Sequence, residues 1–276
     1  MAATHKTFGR MVLGLPHNAQ DYPAIETAAE LAETLGAQFF GAFIVEPAIA
    51  DLGGIPGAQQ LKSLSAGWQP IERDSLARDM QEAADAVRRK FSAVTGRLHI
   101  DTVFHLARGM TADIVASLAS ANDVVVMIEP GHPADRITRQ FLSLMEAAFQ
   151  ASSSLLLVPS RVQRKIGPIV VVAAGPRDEA VDLAADMAGA LRESLVVINP
   201  TGEQISSPAL APGSSIKCRI ISPPLRARSI EEQIMIELAG VRERLIVARR
   251  TMIDCPQLRT LAEKRGVPVL VTGSAS

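Results

Sequence analysis

From Asp123 to Pro159 the chain spells out strand, loop, helix and strand without interruption. DVVVMI (123–128) is short, apolar and β-branched, and EPGHPADR (129–136) is polar with a single glycine. QFLSLMEAAFQASS then has helical spacing, and LLLVP (155–159) is apolar again. Runs this short and this continuously apolar fit strands covered on both faces. A helix between two such strands makes the crossover that a parallel sheet needs. The loop after the first strand then lies at the C-terminal strand ends beside a helix N-terminus, where such sheets hold ligands and phosphates.

The same alternation fills the rest of the chain. Residues 11–15 read as a strand closed by Pro16, His17 and Asn18. A helix opens near Pro23, carries Ile25, Ala28, Leu31, Ala32 and Leu35 on one stripe, and ends at Gly36. Residues 39–45 are the next strand. The Gly/Ser/Pro-rich stretch 47–70 reads as an irregular excursion with a short helix at 59–65, either a lid or a surface loop. A helix over 71–94, a strand over 99–106 stopped by Gly109, and a short helix over 111–121 lead into the stretch above. Strands alternating with helices in this way define a doubly wound α/β layer.

After a basic segment at 161–167, with Arg161, Arg164 and Lys165, the order begins again. Strands are expected at 169–174, 195–198, 216–222, 245–248 and 267–271, helices at 178–192, 230–241 and 256–265, and a loop at 201–215. AIETAAELAETLGA (24–37) matches AVDLAADMAGALRE (180–193) in pattern, and SLLLVPS matches VPVLVTG. The chain therefore reads as one domain at 1–160 and a shorter second copy at 167–276.

Composition excludes several function classes. Lys plus Arg is 28 against Asp plus Glu 29, and aromatic residues make up 4%, so neither a basic footprint nor a base-stacking platform for nucleic acid is present. The two cysteines, Cys218 and Cys255, form no CxxC pair, which argues against zinc or disulfide scaffolds and for a reducing compartment. No apolar run reaches the roughly 18 residues of a membrane span, and MAATHKTFGR lacks a signal-peptide core. The expectation is a cytoplasmic protein without a membrane or nucleic-acid partner.

Three pieces together resemble the universal stress proteins: MVLGLPHN with the AIETAAELA helix, ARGMTADIVASLA (107–119), and DVVVMI with its loop, helix and LLLVP strand. The resemblance implies a tandem arrangement of two open, parallel five-stranded sheets, each in the order 3-2-1-4-5 with helices on both faces, a Rossmann-like layout. It also implies an intramolecular pseudo-dimer in which the last strands of the halves meet, and it is compatible with a homo-oligomer. ATP-binding members of the family carry an acid at the end of the first strand and a Gly-x2-Gly-x9-Gly-Ser/Thr run after the fourth. Here the acidic position is Pro16, and the motif falls on Ile128, Gly131 and Phe141-Leu142, or on Leu142-Ser143 with one insertion. The second half has ARRTMIDCPQ at that place, with no glycine, and its first strand ends in AAGP, without an acid. Glycines admit backbone N–H groups to an oxyanion, and bulky side chains shut them out.

The implied function is accordingly a non-enzymatic stress-response or regulatory protein with the ATP motif largely lost, no cofactor and no metal. The alternative is a regulator that binds ATP or AMP in the first-half cleft. The positions carried over to that cleft are Pro16, His17, Val45, Gly109, Met127, Gly131 and Ser143. An adenylate-using hydrolase would need an SGGxDS-type loop, and neither GLPHN nor AAGPRD supplies one. His17, His105 and His132 read as turn or surface histidines, Ser152 to Ser154 as a helix end, and Cys255 as structural. Arg249 and Arg250, near Arg242 and Arg244, read as loop charge or as an anion clamp.

Overall fold

The structure, a computed structural model, describes residues 8–15, 22–45, 47, 51–52, 55–61, 67–173, 175, 178–200, 216–222 and 230–273. The first half runs β1 (Arg10–Leu15), α1 (Tyr22–Leu35), β2 (Gln38–Val45), β3 (Gln59–Leu61), β4 (Trp68–Pro70), α2 (Arg73–Thr95) and β5 (Thr102–Arg108). It continues with α3 (Thr111–Leu118), β6 (Val124–Ile128), α4 (Pro133–Arg136), α5 (Arg139–Gln150) and β7 (Ser154–Val158). The second half runs β8 (Ile169–Val172), α6 (Glu179–Leu191), β9 (Leu195–Ile198), β10 (Cys218–Ile221), α7 (Ile230–Glu237), β11 (Leu245–Arg249), α8 (Cys255–Arg265) and β12 (Val269–Thr272).

Ten of these strands form one sheet in the order β10-β9-β8-β11-β12-β7-β6-β1-β2-β5. Each half contributes five parallel strands in the expected 3-2-1-4-5 order. The halves join edge to edge, with β7 antiparallel to β12 through Leu157 opposite Val269, Leu156 opposite Leu270 and Leu155 opposite Val271. All six residues are buried. A lone edge this apolar would invite strand addition, and mutual pairing removes both edges at once.

Strand residues alternate between two cores because successive side chains point to opposite faces. Leu156, Val158, Ile169 and Val171 pack with α1, α2 and α6 on one face. Leu155, Leu157, Val170 and Val172 pack with α5, α7 and α8 on the other. Across the seam α1 lies against α6, and α5 against α8.

The short helix expected at 59–65 is corrected over its first three residues: Gln59–Leu61 is a strand paired antiparallel with Trp68–Pro70, while 62–65 lie outside the described residues. A helix of one or two turns leaves most of its end groups unpaired, whereas a hairpin pairs them across the strands.

At the N-terminal strand ends Asp123 acts as a pin between β1 and β6. It accepts from Arg10 Nη2 at 2.7 Å and from the Ser120 amide and hydroxyl at 2.8 and 2.9 Å. Burial alone would raise its carboxyl, but Arg10 and the two Ser120 donors hold it below the usual carboxylate range. A lowered carboxylate stabilises the fold above its unfolded value and loses that contribution as pH falls through the folded one. Asp123→Asn is expected to lower stability by about 1–3 kcal/mol at pH 7, the range for orphaned buried donors. The difference should shrink in urea titrations run at decreasing pH.

The basic segment after β7 is fixed by ion pairs. Arg164 and Arg265 both reach Glu243, whose side chain is fully buried. Lys165 caps Glu26 and Glu30 of α1 at 2.6 and 3.4 Å on the surface.

Candidate strand-end site

The C-terminal strand ends of the first half are where the loop after β6 begins. Val45, the last residue of β2, is buried, and its carbonyl accepts from the Gly109 amide at 3.2 Å. These two carried-over positions therefore meet. Met127 is buried within β6 as part of the sheet core, while Gly131 in the loop and Ser143 on α5 are exposed. Pro16 and His17 lie outside the described residues.

Local chemistry explains the path of the loop. His132 is the N-cap of α4, its Nδ1 accepting from the Ala134 amide at 3.3 Å, with Pro133 next in line where a missing N–H costs nothing. Thr138 caps α5 by accepting from the Phe141 amide at 3.3 Å. Arg136 between them is the hub. It donates to the Pro130 carbonyl at 2.8 Å, to Ser160 Oγ at 2.8 Å and to Glu263 Oε1 of α8 at 3.2 Å. Arg259 of the same helix donates to the Arg136 carbonyl at 3.3 Å. The loop is thereby tied across the seam to the other half.

The second half does the same in reverse. Arg250, in the turn after β11, donates to the carbonyls of Ala151 and Ser153 at the end of α5, the second at 2.6 Å, and lies 5.4 Å from the Phe149 ring centroid. Burial holds this guanidinium below its ordinary value. Arg249 Nε stands 3.8 Å from the buried Asp178 carboxylate, which also caps α6. Neither a free loop charge nor an open anion clamp describes Arg250. It is a half-buried tie to backbone carbonyls.

The other candidates take structural positions. His105 is exposed on β5, 6.1 Å from the Phe40 ring. Cys255 is buried at the start of α8, and burial together with Glu146 pushes its thiol up to about 12, so a thiolate is disfavoured there. Among the described residues no group of three or more His, Cys, Asp and Glu side chains could hold a metal ion. Nor is any helix long and apolar enough to cross a membrane. A cleft of about 330 Å³ lies at the opposite, N-terminal end of the sheet, beside Arg10, Glu33, Gln38, His99 and Asp101.

The sequence pattern did not single out Glu129, Arg136, Ser160, Arg259 and Glu263 as a group. Arg136 and Glu263 are 127 residues apart, and only the antiparallel seam brings them together. The signal that could have found them is the acid directly after an apolar strand, at Glu129.

No protein-family model matches this sequence, and no curated protein matches it. Solved structures do. A universal stress protein from Archaeoglobus fulgidus DSM 4304 is similar over 96% of this chain and 97% of its own, with a TM-score of 0.62 and 13% identity. A putative universal stress protein from Pseudomonas aeruginosa UCBPP-PA14 covers 97% and 94%, with a TM-score of 0.55 and 13% identity. A functionally unknown protein from Pseudomonas aeruginosa PAO1 gives 97%, 93%, 0.54 and 12%. The chain thus has the universal stress protein fold over both halves.

Proposed function

We propose that this chain is a non-enzymatic, tandem universal stress protein-like regulator of a cytoplasmic stress response, built as an intramolecular pseudo-dimer of units 1–160 and 167–276. Its strand-end loops serve the contact between the units in place of nucleotide phosphates. One observation carries this reading: the loop after the fourth strand of each half sends an arginine across the seam, Arg136 to Glu263, and Arg250 to Ala151 and Ser153. A loop held this way presents its donors to protein acceptors. Phosphate would have to displace charge-assisted bonds that are already made.

The first-half loop also keeps a carboxylate, Glu129, where a phosphate cradle needs positive charge, and like charge disfavours an anionic ligand. Isothermal titration of the full chain with ATP-Mg and with AMP should give no saturable heat at micromolar ligand. Micromolar binding that Gly131→Arg abolishes would instead establish the nucleotide-binding regulator and overturn the favoured reading.

A further inference from the structure

Four charged side chains gather where the first-half loop meets the second half. Glu129, at the end of β6, is only 3% exposed. Around its carboxylate stand Arg136 from its own loop, Arg259 and Glu263 from α8, and the Ser160 amide beyond β7. Arg136 is committed to three acceptors, Pro130 O, Ser160 Oγ and Glu263, so its charge is shared. Seating the loop therefore takes a carboxylate out of water into a site with two cations and a second anion. Burial of an ionised acid is costly unless dedicated partners repay it, and here neither guanidinium makes an ion pair or hydrogen bond with the carboxylate: Arg136 serves its three acceptors, and Arg259 donates to the Arg136 carbonyl.

We propose that Glu129 is a proton-operated latch on loop 129–138: the neutral acid keeps the loop seated on the seam, and ionisation favours its release from the second half. Release would uncover the first-half strand ends, so the latch sets access to that cleft whatever occupies it.

Burial is the main reason the Glu129 carboxyl is pushed up to about 6, with Glu263 adding to it and Arg136, Arg259 and the Ser160 amide opposing. A seated acid with a raised value binds its proton more tightly than a released one, so seating is fully favoured below about pH 4.5 and loses ground as pH rises from there to about 6. A seated value of about 6 against 4.5 for the released acid corresponds to a change of roughly 30-fold in the seated-to-released ratio between those two pH values.

Hydrogen exchange of the full chain, followed by mass spectrometry from about pH 3.5 to about pH 7.5 and corrected for intrinsic rates, reads this directly. Protection of 129–138 should fall by up to roughly 30-fold, most of it between about pH 4.5 and about pH 6, while β8 amides keep theirs. In Glu129→Gln the loop should lose this pH dependence. Glu263→Gln, which removes the second anion, should move the midpoint down. His132→Gln, which removes the loop's own histidine, should leave the profile as in the natural chain. Protection that is flat with pH in the natural chain overturns the latch, as does an undiminished slope in Glu129→Gln or one that vanishes in His132→Gln. None of these readouts depends on nucleotide, so failure of the latch and failure of the proposed function are separable.

Discussion

Glu243→Ala is expected to lower the unfolding free energy by about 3–5 kcal/mol, the cost of removing one partner from a buried ion pair. The carboxylate is fully buried and takes Arg265 in a two-pronged contact, Nε to Oε1 at 2.6 Å and Nη2 to Oε2 at 2.7 Å. Arg164 approaches the same oxygen Oε1 at 3.2 Å, while its Nε donates to the Glu243 carbonyl at 2.8 Å. The hydrogen bond to Glu243 is the main reason the Arg265 guanidinium is held above its ordinary value. Without the carboxylate two guanidinium groups converge on an empty acceptor site. Arg265 keeps the carbonyls of Leu238 and Val241, at 3.1 and 2.9 Å, and so cannot simply swing away. Glu243→Gln retains one acceptor oxygen and should fall between the two. Urea unfolding monitored by circular dichroism would test the order. A loss under about 1 kcal/mol for the alanine variant, the level of an exposed pair, would mean the site is wet enough to screen both arginines.

That site shows what the sequence could and could not disclose. The strand runs were legible because a residue such as Leu156 has apolar neighbours on both sides, a pattern that survives only where a sheet is covered on both faces. The likeness of pattern between α1 and α6 has a similar cause, since both bury a small-residue stripe on the sheet. Arg164 was different. A basic residue in a segment between two repeats of the pattern looks like solvated charge, and only its partner Glu243, 79 residues away just before β11, turns it into a fastener. The hairpin of β3 and β4 was missed because three-residue strands carry too few residues to show a period of two.

The candidate site divides in the same way. Departure from the family's glycine run could be read directly, since Phe141 and Leu142 stand at two of its places. The contacts that the loop makes could not be read. Arg136 lies inside the loop and is plain in the sequence, but its acceptor Ser160 follows from the parallel pairing of β6 and β7, and Glu263 from the antiparallel meeting of β7 and β12. Long-range geometry of that kind leaves no local periodicity. Met127 stands one residue before the end of β6, with its side chain in the sheet core.

Gly167→Ala should be as damaging as any single methyl group added to this chain, with a loss of about 4 kcal/mol or more, the range reserved for strain and overpacking together. Gly167 has φ +138, and a Cβ there would stand 2.0 Å from the Arg242 carbonyl oxygen and 3.1 Å from its carbon. The obstacle is backbone, so no rotamer change relieves it. The same turn delivers the Gly167 amide to Glu193 Oε1 at 3.1 Å and sets β8 beside β11, so the chain cannot back away without disturbing the first strand of the second half. Gly240→Ala separates the two contributions. Its φ is +85 and nothing lies within 4 Å of an added Cβ, so it should lose only the conformational penalty of about 1–2 kcal/mol. If the two variants unfold at the same urea concentration, the Arg242 backbone yields, and the segment joining the halves is looser than its ion pairs with Glu243 imply.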